Sequence, residues 1–79
     1  MPRVVLYTRP GCHLCDDVKP QLAVLASELA FSVDEVNIES EAALRVRYGH
    51  DIPVVTVEGR EAFRHRFDGP GLRKLLAAH

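Results

Sequence analysis

No run of apolar residues in this chain approaches the ~20 that a membrane-spanning helix needs. The first residues lack the basic and apolar regions of a signal peptide. Cysteine is scarce: two in 79 residues, where a disulfide-stapled secreted domain usually carries four or more. Net charge is nearly absent as well, at −1, which argues against the basic surface of a general nucleic-acid binder. Internal repeats and low-complexity segments are missing. Together these absences predict one domain over residues 1–79, a monomer with no membrane or nucleic-acid partner, at home in a reducing cytoplasm. There an exposed cysteine pair is catalytic, regulatory or metal-binding and not a permanent staple.

What is present centres on Cys12-His13-Leu14-Cys15. The two thiols follow a strand-like run, Arg3-Val4-Val5-Leu6-Tyr7, and stand at the mouth of a helical pattern. A helix start presents unpaired N–H groups and the positive end of a dipole, both of which stabilise a thiolate. Such a place lowers a cysteine pKa from ~8.5 to roughly 3.5–7.5. Cys15, one turn further on, is placed to attack a mixed disulfide formed at Cys12. His13 as an imidazolium would favour the thiolate, whereas Asp16 and Asp17 would oppose it.

The remaining pattern supplies the frame. Leu14, Val18, Leu22, Leu25, Ala26 and Leu29 recur at helical spacing, with Pro20 inside the stripe and a kink expected there. Phe31, Val33 and Val36 to Ile38 read as a second strand. A short helix follows, with Ser40 as its expected N-cap and Gly49 as its stop. Ile52 to Val57 reads as a third strand with Pro53 near its start. Glu58-Gly59 is a two-residue hairpin connection, and Glu61 to Phe67 returns as a fourth strand, with His65 on it between Phe63 and Phe67. Asp68 then caps a last helix that carries Leu72, Leu75 and Leu76 on one face. The order is β-α-β-α-β-β-α: an α/β fold with a four-stranded mixed sheet flanked by three helices. A right-handed crossover makes the first two strands parallel, and the cysteines fall at the carboxyl end of the first, where open α/β sheets place ligands.

Charge is uneven. Glu28, Asp34, Glu35, Glu39 and Glu41 form an acidic stretch, and Arg60, Arg64, His65, Arg66, Arg73 and Lys74 bias the later part toward the positive. The expectation is two solvated faces, with a docking surface for an acidic partner as the alternative.

The residues Tyr7-Thr8-Arg9-Pro10-Gly11-Cys12-His13-Leu14-Cys15, Asp51-Ile52-Pro53-Val54 and Glu58-Gly59-Arg60, with Pro20 eight positions after the first cysteine, resemble the thioredoxin superfamily. Within it the chain is most similar to small glutaredoxin-like proteins. The resemblance spans essentially the whole chain. It implies the thioredoxin/glutaredoxin fold, a cis Ile52-Pro53 bond facing the dithiol, Cys12 as nucleophile and Cys15 as resolving thiol. It further implies that Arg9, His13, Ile52 and Pro53 meet the substrate, a disulfide-containing protein or a small thiol. No bound cofactor is expected, and glutathione or a thioredoxin-type dithiol is the implied reductant.

Departures accompany the resemblance. His13 and Leu14 replace the usual Pro-Tyr between the cysteines, and Arg9 stands where glutaredoxins usually carry a lysine. Phe63 and Arg64 stand where a Gly-Gly pair normally admits glutathione, so that side chains are expected to intrude on the cleft and weaken its binding. Two readings compete with thiol–disulfide exchange. One is metal or iron–sulfur binding by the same cysteines, although a closed zinc site wants four ligands. The other is an interaction module that keeps the fold without turnover.

Overall fold

The computed structural model describes residues 2–78. The strand β1 (Val4–Thr8) is its centre, buried along nearly its whole length. The helix α1 (His13–Leu29) crosses back over the sheet and delivers the strand β2 (Val33–Asn37) parallel to β1, in the register Val4 to Val33 and Thr8 to Asn37. A single turn of 3₁₀ helix (Ile38–Ser40) and the helix α2 (Ala42–Tyr48) then lead to β3 (Val54–Val57), which pairs antiparallel with β1. The strand β4 (Arg60–Arg64) folds back on β3, and α3 (Gly69–Ala77) closes the described chain. The sheet order β2-β1-β3-β4 is the mixed four-stranded arrangement expected, with the element order β-α-β-α-β-β-α.

Side chains of a strand alternate between faces, and this divides the interior in two. Val4 and Leu6 of β1, Val55 and Val57 of β3, and Phe63 of β4 meet Val18, Leu22 and Leu25 of α1 and Leu72 of α3. Tyr7 and Val54 point the other way, toward Ile38 and Tyr48, in a smaller cluster that also holds Cys15 and Ile52. The first cluster carries most of the apolar burial. The second lies beneath the cysteines.

Several local expectations need correction. Ser40 does not cap α2; it ends the 3₁₀ turn, whose own start is capped by the Asn37 side chain accepting from the Glu39 N–H at 2.9 Å. Glu41 occupies the N-cap of α2 without a side-chain bond. The second strand excludes Phe31 and Ile38, which are buried on either side of it. The third begins at Val54, after Pro53, which has no N–H to give a ladder. The fourth ends at Arg64 instead of Phe67. There the chain folds back: His65 takes a positive φ of 66° and the Arg66 N–H bonds the Arg64 carbonyl at 2.7 Å. His65 is exposed.

The turn signals read correctly. Glu58 and Gly59 both have positive φ (49° and 78°), as a type I′ hairpin turn requires. Asp68 caps α3, accepting from the Gly71 N–H at 2.9 Å. The helix α1 runs on through Pro20, which leaves the Asp16 carbonyl without its usual helical donor. Part of the uneven charge is paired: Arg3 with Asp34 at 3.1 Å, Lys19 with Glu35 at 2.8 Å and Arg73 with Glu28 at 3.0 Å. Among the described residues, no helix is long and apolar enough to cross a membrane.

A candidate dithiol site at the start of the first helix

The cysteines owe their place to the turn between β1 and α1. After Thr8 the strand ends at Arg9-Pro10, and Gly11 adopts a φ of 79°. That left-handed conformation reverses the chain into the helix, and glycine adopts it without steric cost. Cys12 then occupies the N-cap of α1 with extended backbone (φ −83°, ψ 107°). Its carbonyl accepts from the Asp16 N–H at 3.2 Å and starts the helical ladder. Its sulfur accepts from the Cys15 N–H at 3.1 Å, the bond that a serine or aspartate oxygen usually makes at this position. One of the orphan donors of the helix start is therefore aimed at the Cys12 sulfur.

The two thiols differ in exposure. Cys12 is half-buried, while Cys15, on the inner face of α1, is only 1 % exposed. Their Cα atoms lie 5.2 Å apart, within the span of a disulfide, and the sulfurs are joined. Below them Tyr7 stacks on Tyr48 with ring centroids 4.3 Å apart. Burial, then the neighbouring Tyr7, raises the Tyr48 pKa above its ordinary value of 10.0, so the phenol stays neutral.

The outer side of the dithiol is an open cleft of about 450 Å³. Its wall contains Arg9, Cys12, His13 and Ile52, four of the six residues singled out from the sequence, together with Gly11, Leu14, Gly49, His50 and His65. Cys15 lies behind Cys12. Pro53 is fully buried next to Ile52 and is not part of the wall; the Ile52–Pro53 peptide bond is cis. The Pro53 carbonyl accepts from the His65 N–H at 2.9 Å, which ties the fold-back after β4 to the edge of the cleft.

The expected intrusion by Phe63 and Arg64 is corrected here. Strand alternation turns Phe63 into the core, where it is 6 % exposed. Arg64 turns toward Glu61, at 2.9 Å from Nε, and toward Asp51, at 3.0 Å from Nη1. His65 is the residue of that segment that reaches the cleft. His50 and His65 were not singled out for the site. The available signal was His50 lying two residues before the Ile52-Pro53 pair. Among the described residues, no group of three or more histidine, cysteine or acidic side chains is arranged to hold a metal ion.

Comparison with known proteins agrees with this geometry. The family described as Glutaredoxin-like domain (DUF836) matches residues 3–77. The chain belongs to this glutaredoxin-like family. It is 38% identical over 81 residues to the uncharacterized protein Rv0508 of Mycobacterium tuberculosis, covering 96% of this chain and 84% of the relative. Its fold resembles that of Ne2328 from Nitrosomonas europaea, with a TM-score of 0.83 and 28% identity over 94% of this chain and 89% of the other. It also resembles the X. campestris protein XcR50, with a TM-score of 0.72 and 38% identity over 96% and 97% of the two chains. This glutaredoxin-like chain thus has the thioredoxin-type frame with a Cys12/Cys15 pair at its usual end.

Proposed function

We propose that the protein is a cytoplasmic thiol–disulfide oxidoreductase that reduces disulfides with Cys12 and Cys15. The observation that carries this reading is the asymmetry of the pair: a half-buried Cys12 at the head of α1, with a fully buried Cys15 beside it. In the reduced protein the Cys12 thiolate attacks one sulfur of a substrate disulfide. A Cys12–substrate bond forms, the substrate S–S bond breaks, and the first substrate thiol leaves. Cys15, deprotonated, attacks the Cys12 sulfur; the second substrate thiol leaves and takes up a proton. The substrate gains two electrons and the protein retains the Cys12–Cys15 disulfide. A thiol reductant, glutathione or a dithiol of the thioredoxin type, returns the two electrons.

The other wall residues serve recognition in this reading. Arg9 and His13 face the substrate as hydrogen-bond donors. Ile52 offers an edge of backbone, but its N–H is already given to the Tyr48 carbonyl at 3.1 Å. Only its carbonyl is left to pair with an incoming peptide, and Pro53 keeps that segment rigid behind it.

The test is catalytic reduction of insulin and of a small glutathione mixed disulfide, with either a thioredoxin-type reductant or glutathione as electron source. The expected result is turnover that is lost in Cys12→Ser. A purified protein without turnover on either substrate, or one carrying stoichiometric metal on its reduced cysteines, would contradict the reading.

A further inference from the structure

The cleft is a wall of donors. Arg9 carries a permanent positive charge with five N–H groups, and among the described residues it makes no ion pair or side-chain hydrogen bond. Around it stand His13, His50 and His65, from the start of α1, the loop after α2 and the fold-back after β4. An imidazole offers an N–H in either protonation state. No carboxylate lines this cleft. Asp51, outside its wall, is held by Arg64 at 3.0 Å and lies 3.9 Å from His65. Asp16 lies on the first turn of α1, and Asp17, the next residue, lines the neighbouring groove.

The cleft also shares walls with two further grooves. It shares Leu14 and His65 with a groove of about 400 Å³ lined further by Arg66, Phe67 and one carboxylate, Asp17. It shares Arg9 with a third, of about 320 Å³, that reaches Pro10, Lys19 and Asn37. In that third groove the one carboxylate, Glu35, is paired with Lys19 at 2.8 Å. Three grooves with shared walls offer more surface than a small thiol can cover and suit a polypeptide. Leu14, exposed beside Cys12, supplies an apolar contact on a wall that two of them share.

From these observations, and resting on the redox reading above, we infer that the substrate is a protein disulfide flanked by acidic residues. Its carboxylates meet Arg9 and the histidine N–H groups while its sulfur meets Cys12. Thiol–disulfide exchange at Cys12 is unchanged by this; the wall selects which disulfide arrives.

The experiment compares two disulfide peptides, alike except that glutamates flank the cysteines in one and lysines in the other. Bis(2-hydroxyethyl) disulfide serves as an uncharged probe. Each peptide's rate of oxidising the reduced protein is divided by its rate with free dithiothreitol, which removes intrinsic differences in leaving group. The acidic peptide should react faster by about tenfold at low ionic strength, and the gap should close at high salt. Arg9→Gln combined with His50→Gln should remove most of the preference, whereas Arg60→Gln on the remote hairpin should preserve it. Equal or inverted peptide rates beside reaction with the uncharged probe would overturn this inference alone. A preference that survives the double substitution would also overturn it. No reaction with any of the three disulfides would overturn the redox reading and the inference with it.

Discussion

Cys15 donates its backbone N–H to the sulfur of Cys12 across 3.1 Å. The bond makes Cys12 the N-cap of its own helix and points a helix-start donor at its sulfur, while Cys15 sits in the core with no route to solvent of its own. The same short motif therefore yields two chemically different thiols. In the reduced protein Cys12 should be alkylated faster than Cys15, with a rate that reaches half its maximum below the ~8.5 of a free cysteine. Iodoacetamide rates against pH on Cys12→Ser and Cys15→Ser decide this. Faster modification of Cys15 near neutrality would reverse the assignment.

His65 holds a left-handed backbone conformation, φ 66°, that glycine adopts more readily. The left-handed region costs a non-glycine residue roughly 1–2 kcal/mol, and glycine loses about 0.5–1 kcal/mol of that advantage to its greater freedom when unfolded. His65→Gly should therefore raise stability by up to about 1 kcal/mol, seen as a higher midpoint in urea unfolding. The same change removes one N–H donor from the cleft wall, so turnover of a glutathione mixed disulfide, whose tripeptide carries carboxylates, should fall while stability rises. Turnover that rises with stability would show that the imidazole obstructs the cleft and does not serve binding.

The frame was legible because its signals are local. The apolar stripe of α1, the Glu58-Gly59 turn and the Asp68 cap each act within a few residues, and each stands where the pattern put it, except that Leu14 and Leu29 at the ends of the stripe are exposed. That Cys12, Arg9, His13 and Ile52 share one cleft was legible for a different reason, since the resemblance implies how the β1–α1 and α2–β3 turns face each other. The end of β4 was not legible. Phe63, His65 and Phe67 alternate like a strand, but the positive φ at His65 and the His65–Pro53 hydrogen bond override that alternation. The extra residue in β4, where Val55 pairs with Phe63 and Thr56 with Glu61, already shifts the register before that point. Ser40 misled in a similar way: a good capping residue was pre-empted by Asn37, which starts a 3₁₀ turn three residues earlier.

Burial beneath the dithiol gives a dependence on alkaline pH. The Tyr48 pKa is raised in the folded protein, first by burial of the phenol and then by Tyr7. Below the ordinary value of 10.0 both folded and unfolded chains keep the proton, and this group leaves stability flat. Above it the unfolded chain gives up the proton more readily, so stability falls as pH rises through the folded pKa. Lys19, raised by its hydrogen bond to Glu35, adds a smaller loss of the same sign above its ordinary 10.5, because that pair is exposed to water. Chemical denaturation of the oxidised protein across this range should show the decline, and Tyr48→Phe should flatten most of it. An unchanged slope in the variant would place the responsible group elsewhere.

In the proposed mechanism Cys12 forms the bond with substrate and Cys15 resolves it. The most direct measurement of this is trapping: Cys15→Ser, Cys12→Ser and the unaltered protein, each reduced, are mixed with a disulfide-containing protein and quenched with acid. Mass spectrometry then counts mixed disulfides. The expected result is a covalent complex of one substrate chain per Cys15→Ser molecule, little complex for Cys12→Ser, and for the unaltered protein an internal Cys12–Cys15 disulfide with released, reduced substrate. Stable complex through Cys15 in Cys12→Ser, or no complex and no internal disulfide in any form, would contradict the mechanism.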